Sequence, residues 1–127
     1  MTWPTSALLV FLAANPNPGP WTAPPAALQG LRNPVAAAAR PASVERGRAL
    51  YAKECASCHG VKGAGDGPDG LYFTTPPTDL TAPAVKKQGD AVLFWKLSTG
   101  RGDMKAYEPT LDAAQRWDLV NAVRALK

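Results

Sequence analysis

The chain is poor in the residues that build most metal and redox sites. Its 127 residues include one histidine, His59, two cysteines, Cys55 and Cys58, and two methionines, Met1 and Met104. A zinc site made by the protein alone needs four ligands and usually draws on a second Cys or His pair, so this inventory argues against one. Clusters of Lys and Arg interleaved with aromatics are also missing, so the net charge of +4 and pI near 9.3 do not point to nucleic acid. No apolar run approaches the ~20 residues that a membrane-spanning helix requires; the run from Ser6 to Ala14 is too short. Residues 1–43 hold no Asp, Glu, Cys or His, which removes metal and acid–base chemistry from that part of the chain.

What is present is concentrated in Cys55-Ala56-Ser57-Cys58-His59. Two thiols three residues apart fall on one face of a helical turn, and the imidazole that follows can reach a metal held beside them. This is the spacing of covalent haem c attachment. Cys55 and Cys58 then form thioethers with the haem vinyl groups, and His59 ligates the iron. A thioredoxin-like dithiol should follow a strand at the start of a βαβ unit, and no such unit surrounds these residues. A structural disulfide would leave His59 without a role.

The length suits one domain, in which a buried haem would supply apolar surface for a modest core. Thirteen prolines, eleven glycines and an alanine-weighted apolar fraction favour helices joined by irregular loops over a sheet. Residues 1–43 carry eight of the prolines. Several readings of this N-terminal segment stand side by side. Ser6–Ala14 resembles the apolar region of a secretory signal, with Ala13 and Ala14 near a cleavage point, although no Lys or Arg precedes it. An uncleaved tail, held extended by its prolines and anchored by Trp3 and Trp21, would lie across a partner subunit or a membrane surface. A plain Ala/Pro linker is the third possibility.

From residue 44 the pattern turns helical. A first helix is expected over 44–58, capped by Ser43 and ending at the cysteines. The run Gly60–Gly70 is a loop. Its Gly65-Asp-Gly67-Pro-Asp-Gly70 has the letters of a dinucleotide fingerprint but lacks the preceding strand and following helix. Asp66 and Asp69 fall short of a calcium loop. Asp79 or Thr81 is placed to begin a short helix running toward Lys87. A helix over 91–99 is expected between Asp90 as cap and Gly100 as stop, and a long amphipathic helix after a Thr110 cap. Met104 lies in the loop between these two, flanked by Gly102, and is the expected second axial ligand of the iron. Without it, water or Lys105 would take that position.

The CxxCH after a helix containing Gly47 and Tyr51, the Gly-Asp-Gly-Pro68 loop, Pro77-Thr-Asp-Leu80, the Gly-x-Met104 loop and Arg116-Trp-Asp-Leu-Val-Asn121 together resemble a class I monohaem cytochrome c over residues 43–127. The resemblance implies a small all-α fold of about three main helices around one covalent haem c. It implies a crossing of first and last helices in which Gly47, Tyr51 and Leu119 match the family while Ala122 replaces an expected aromatic, with Trp117 available to fill the gap. It also implies that a proline carbonyl, here assigned to Pro68, accepts a hydrogen bond from the other ring nitrogen of His59. Where relatives follow the Met with Pro, this chain has Lys105.

The function so implied is one-electron transfer between redox protein partners in an extracytoplasmic respiratory or photosynthetic chain, with the haem attached in the periplasm or an equivalent compartment. The alternative is a fixed cytochrome subunit of a larger membrane-bound oxidoreductase complex, held by the N-terminal segment. Lys62, Lys86, Lys87, Lys96, Arg101 and Lys105 are candidates for a basic rim that steers partners.

Overall fold

The computed structural model describes residues 19–127. Among these the architecture is all-α, with no strand. Three helices dominate: α2 (Arg40–Glu54), α5 (Asp90–Thr99) and α6 (Ala113–Arg124). Single turns fill the spaces between and before them: α1 (Pro25–Leu28), α3 (Ala56–His59), α4 (Pro83–Lys86) and 3₁₀ turns at Ala37–Ala39 and Pro68–Tyr72. No helix among the described residues is long and apolar enough to cross a membrane. The Ser6–Ala14 run, Trp3 and Met1 lie outside the described residues.

The centre of the molecule is the crossing of α2 and α6. At Gly47 the two backbones approach so closely that a Cβ would stand 2.0 Å from the Asp118 carbonyl oxygen and 2.8 Å from the Ala122 Cβ. The small Ala122, rather than an aromatic, thus fits directly against the glycine. Trp117 does not fill a gap there; its ring stacks on Phe94 of α5, centroids 4.1 Å apart and planes 20° apart. Such a pair adds about 1 kcal/mol beyond its buried area. In α6 every residue from Trp117 to Ala122 is buried, because this helix is covered by α2 on one side and α5 on the other.

Ser43 is not a cap. It lies in the second turn of α2, fully buried, because Pro41 starts the helix earlier, with a fixed φ and no N–H to leave unpaired. The Ser43 hydroxyl donates to Asp118 Oδ1 at 2.6 Å and accepts from Asn121 Nδ2 at 2.8 Å. Arg46 Nε donates to Asp118 Oδ2 at 2.9 Å from the exposed side. The last helix is capped by Asp112, not Thr110: Asp112 accepts from the Gln115 amide, and the Gln115 side chain accepts from the Asp112 amide in return. This reciprocal box satisfies two otherwise orphaned donors. In α5, Gly89 takes the cap position and Asp90 is the first helical residue, where its charge is bound by Arg124 Nε at 2.7 Å. The short helix before it starts at Pro83, later than Asp79 or Thr81.

Part of the proline-rich segment is packed onto this helical frame. Ala23 is buried. The Asn33 amide donates to Asp90 at 3.0 Å and to Asn121 at 2.7 Å, tying the segment to both α5 and α6. A linker reading therefore does not describe residues 19–39.

Candidate haem site

Helix α2 delivers Cys55 at its end, and the chain takes one further turn, α3, that carries Cys58 and His59. Both cysteines are free thiols and both are half-buried. Burial pushes the Cys55 thiol up to about 12, with the charges of Glu54 and Cys58 adding to the rise and Lys105 opposing it. A dithiol oxidoreductase requires a thiolate stabilised to low pKa; Cys55 has the opposite environment and stays S–H.

Gly60 ends the turn at φ +87°, in the left-handed region open to glycine. The glycine-rich run then folds back over α3. Gly65 N donates to His59 O at 2.7 Å, Gly67 N to Cys58 O at 3.1 Å and Tyr51 Oη to Gly60 O at 2.7 Å. From the same run Gly63 O accepts from Leu80 N at 2.7 Å, which brings the 77–80 segment alongside.

That segment supplies the partner of the imidazole. Nδ1 of His59 lies 2.9 Å from the carbonyl oxygen of Thr78. A carbonyl can only accept, so Nδ1 carries the proton and Nε2 bears the lone pair that binds a metal. The assignment of this role to Pro68 is corrected: Pro68 opens the 3₁₀ turn Pro68–Tyr72, held by Gly67 against α3, and the chain needs ten further residues before its backbone turns to the ring. A main-chain acceptor leaves no trace in residue identity, so only the position of Thr78 just before Asp79-Leu80 could have pointed to it.

Met104 lies in the loop between α5 and α6. Its backbone pairs with that of Arg101 in an isolated antiparallel bridge, and its side chain, like Cys55 and Leu80, packs partly buried against the core that contains Tyr51, Phe94 and Trp117. Gly100, at φ +64°, is needed here: a Cβ would stand 2.5 Å from Met104 O. Lys105 takes the place of a stiffening proline by other means. Its Nζ pairs with Glu54 at 3.3 Å and stands 4.9 Å from the Tyr107 ring centroid, while Tyr107 Oη donates to Glu54 O at 2.8 Å. The loop is thereby fastened to the end of α2, one residue before Cys55.

Several expected rim cations are engaged within the fold. Lys86 Nζ donates to the carbonyls of Val123, Arg124 and Leu126 at the end of α6, where positive charge favours the helix dipole. Lys96 donates to Gln88 at 2.7 Å, and Arg101 donates to the Gly19 carbonyl at 2.7 Å. Lys62 and Lys87 are exposed.

The donors fit a haem better than a bare ion. Among the described residues no cluster of three or more His, Cys, Asp or Glu could hold a metal directly. A porphyrin brings four nitrogens of its own and asks the protein for further ligands, and with Nδ1 held by Thr78 the Nε2 of His59 is left to be one. The free thiols of Cys55 and Cys58, three residues apart at this turn, complete the attachment set.

No curated protein sequence matches the chain. Among solved structures, a chain of the Kuenenia stuttgartiensis reducing HAO-like protein complex Kustc0457/Kustc0458 superimposes with a TM-score of 0.64 and 27% identity, over 76% of this chain and 47% of that one. The chain thus spans about half the length of that neighbour. A family model described as cytochrome C oxidase, cbb3-type, subunit III matches residues 42–121. With CxxCH on the turn after α2 and α6 packed across it, the chain belongs to this family of monohaem c-type cytochromes.

Proposed function

We propose that the protein passes single electrons through one haem c, attached at Cys55 and Cys58 and ligated by His59 and Met104, between redox protein partners in an extracytoplasmic electron-transport chain. The observation that carries this reading is the bond from His59 Nδ1 to Thr78 O. It fixes the tautomer and the ring plane, so that Nε2 of His59 would be held ready to ligate an iron. A haem held by His59 and Met104 would supply a one-electron couple and leave no position for a substrate.

The remaining residues act by holding positions. Tyr51 fixes the Gly60 carbonyl, Gly65 and Gly67 bind the main chain of the attachment turn, and the Lys105–Glu54 pair fastens the Met104 loop beside Cys55. Because haem c is attached outside the cytoplasm, this reading assigns the protein to the periplasm or an equivalent compartment. A second reading, a fixed subunit of a larger oxidoreductase, is supported by the family's description and by the structural neighbour, which is itself part of a complex.

The test is a pyridine haemochrome spectrum with a potentiometric titration of protein made in a host that attaches haem c. One haem per chain, both vinyl groups saturated, and a single one-electron wave are expected. Free haem released by acid and solvent, or a wave of two electrons, would contradict the proposal.

A further inference from the structure

The N-terminal segment is joined to the Met104 loop through one residue. Arg101 exchanges both main-chain hydrogen bonds with Met104: Arg101 N donates to Met104 O at 2.8 Å, and Met104 N donates to Arg101 O at 3.0 Å. The Arg101 side chain turns the other way. Its Nη2 donates to the Gly19 carbonyl at 2.7 Å, and its guanidinium carbon stands 5.8 Å from the centre of the Trp21 ring. The same ring has Lys96 Nζ at 5.4 Å and the Trp95 ring at 6.3 Å, inclined by 60°. Two cations therefore stand against one indole ring, an attraction that strengthens as the site is desolvated. Burial lowers the pKa of Lys96, and the charge of Arg101 lowers it further; the electron-rich ring offsets that repulsion. Farther along, Asn33 anchors the segment to Asp90 and Asn121, so its far end cannot drift away.

We infer that residues 19–21 are a strap that positions the Met104 loop, with Trp21 and Arg101 as its positioning residues. Its meaning for the iron rests on Met104 being an axial ligand. With Met104 as ligand, opening of its loop would carry the thioether away from the iron, and every tie that holds the closed loop lowers the population of the open one. Other ties of the loop include Thr74 N to Asp103 Oδ2 at 3.3 Å and Lys105 to Glu54 at 3.3 Å. Both of those reach other parts of the haem domain. The strap reaches into the proline-rich segment, so that a partner drawing on this segment would loosen the ligand loop without touching the haem.

The test uses the holoprotein with Trp21→Ala, Trp21→Phe and Arg101→Ala, read by amide hydrogen exchange and by imidazole binding to the ferric form. Trp21→Ala and Arg101→Ala are expected to speed exchange at the Arg101 and Met104 amides about tenfold, leaving those of Leu119 and Val120 unchanged, and to tighten imidazole binding about tenfold. Trp21→Phe, which keeps an aromatic face, is expected to restore both to near the parent values. Unchanged exchange at Arg101 and Met104, or an equal rise at Leu119 and Val120, would overturn the strap. Faster exchange in the loop with imidazole affinity unaltered would uphold the strap and overturn the Met104 ligation.

Discussion

Gly67 is pressed against the main chain of Cys58: its amide donates to the Cys58 carbonyl at 3.1 Å, and a Cβ on it would stand 2.6 Å from that oxygen and 2.4 Å from the carbonyl oxygen of Ser57. Its φ of −64° suits any residue, so the requirement for glycine is one of space. Gly67→Ala is expected to push the loop off the attachment turn, costing about 1–3 kcal/mol as overpacking does. Because the displaced turn carries Cys58 and His59, the yield of covalently attached haem per chain, measured by haem-stained gel and pyridine haemochrome, should fall. A yield equal to the parent's would show that the contact is dispensable.

Gly47→Ala tests the helix crossing. With a Cβ forced to 2.0 Å from the Asp118 carbonyl oxygen, α2 and α6 must separate, and the buried bonds among Ser43, Asp118 and Asn121 must lengthen with them. A loss of about 3 kcal/mol or more in denaturant unfolding is expected. Ser43→Ala removes a donor to Asp118 and an acceptor for Asn121 without steric strain, and should cost about 1–3 kcal/mol.

The alkaline limit of stability should depend on Tyr51. Burial is the main cause that raises its pKa to about 12 from an ordinary value of 10.0, with the charge of Asp66 adding. The folded state therefore holds this proton more tightly than the unfolded chain does. Its contribution is fully present below pH 10 and is lost as pH rises through about 12. Tyr51→Phe should lower stability by about 1 kcal/mol at neutral pH, through loss of the bond to Gly60 O. It should also flatten the fall in unfolding midpoint between pH 10 and pH 12. An equally steep fall in the variant would place the alkaline sensitivity elsewhere.

Features written in local sequence were legible, and features made by distant parts of the chain were not. The attachment motif needs only the spacing of Cys55, Cys58 and His59, and α5 is legible between Asp90 and Gly100, its cap lying one residue earlier than expected, at Gly89. Ser43 looked like a cap because a serine before an acidic turn usually is one; its partner Asp118 lies 75 residues away, which no local pattern encodes. Thr78 was hidden for a related reason, since it acts through a carbonyl that every residue has. Trp21 sits in a proline-rich stretch without periodicity, and its placement over α5 depends on Lys96 and Arg101 meeting it there.

The axial role of Met104 is the claim on which electron transfer without substrate binding depends. The most direct measurement is the visible spectrum of the oxidised holoprotein beside that of Met104→Ala, in the region of the weak sulfur-to-iron charge-transfer band. The band is expected in the parent and should vanish in the variant, where the iron would also take up added imidazole readily. Its absence from the parent protein, or its persistence in Met104→Ala, would contradict His/Met ligation and with it the closed axis proposed for this site.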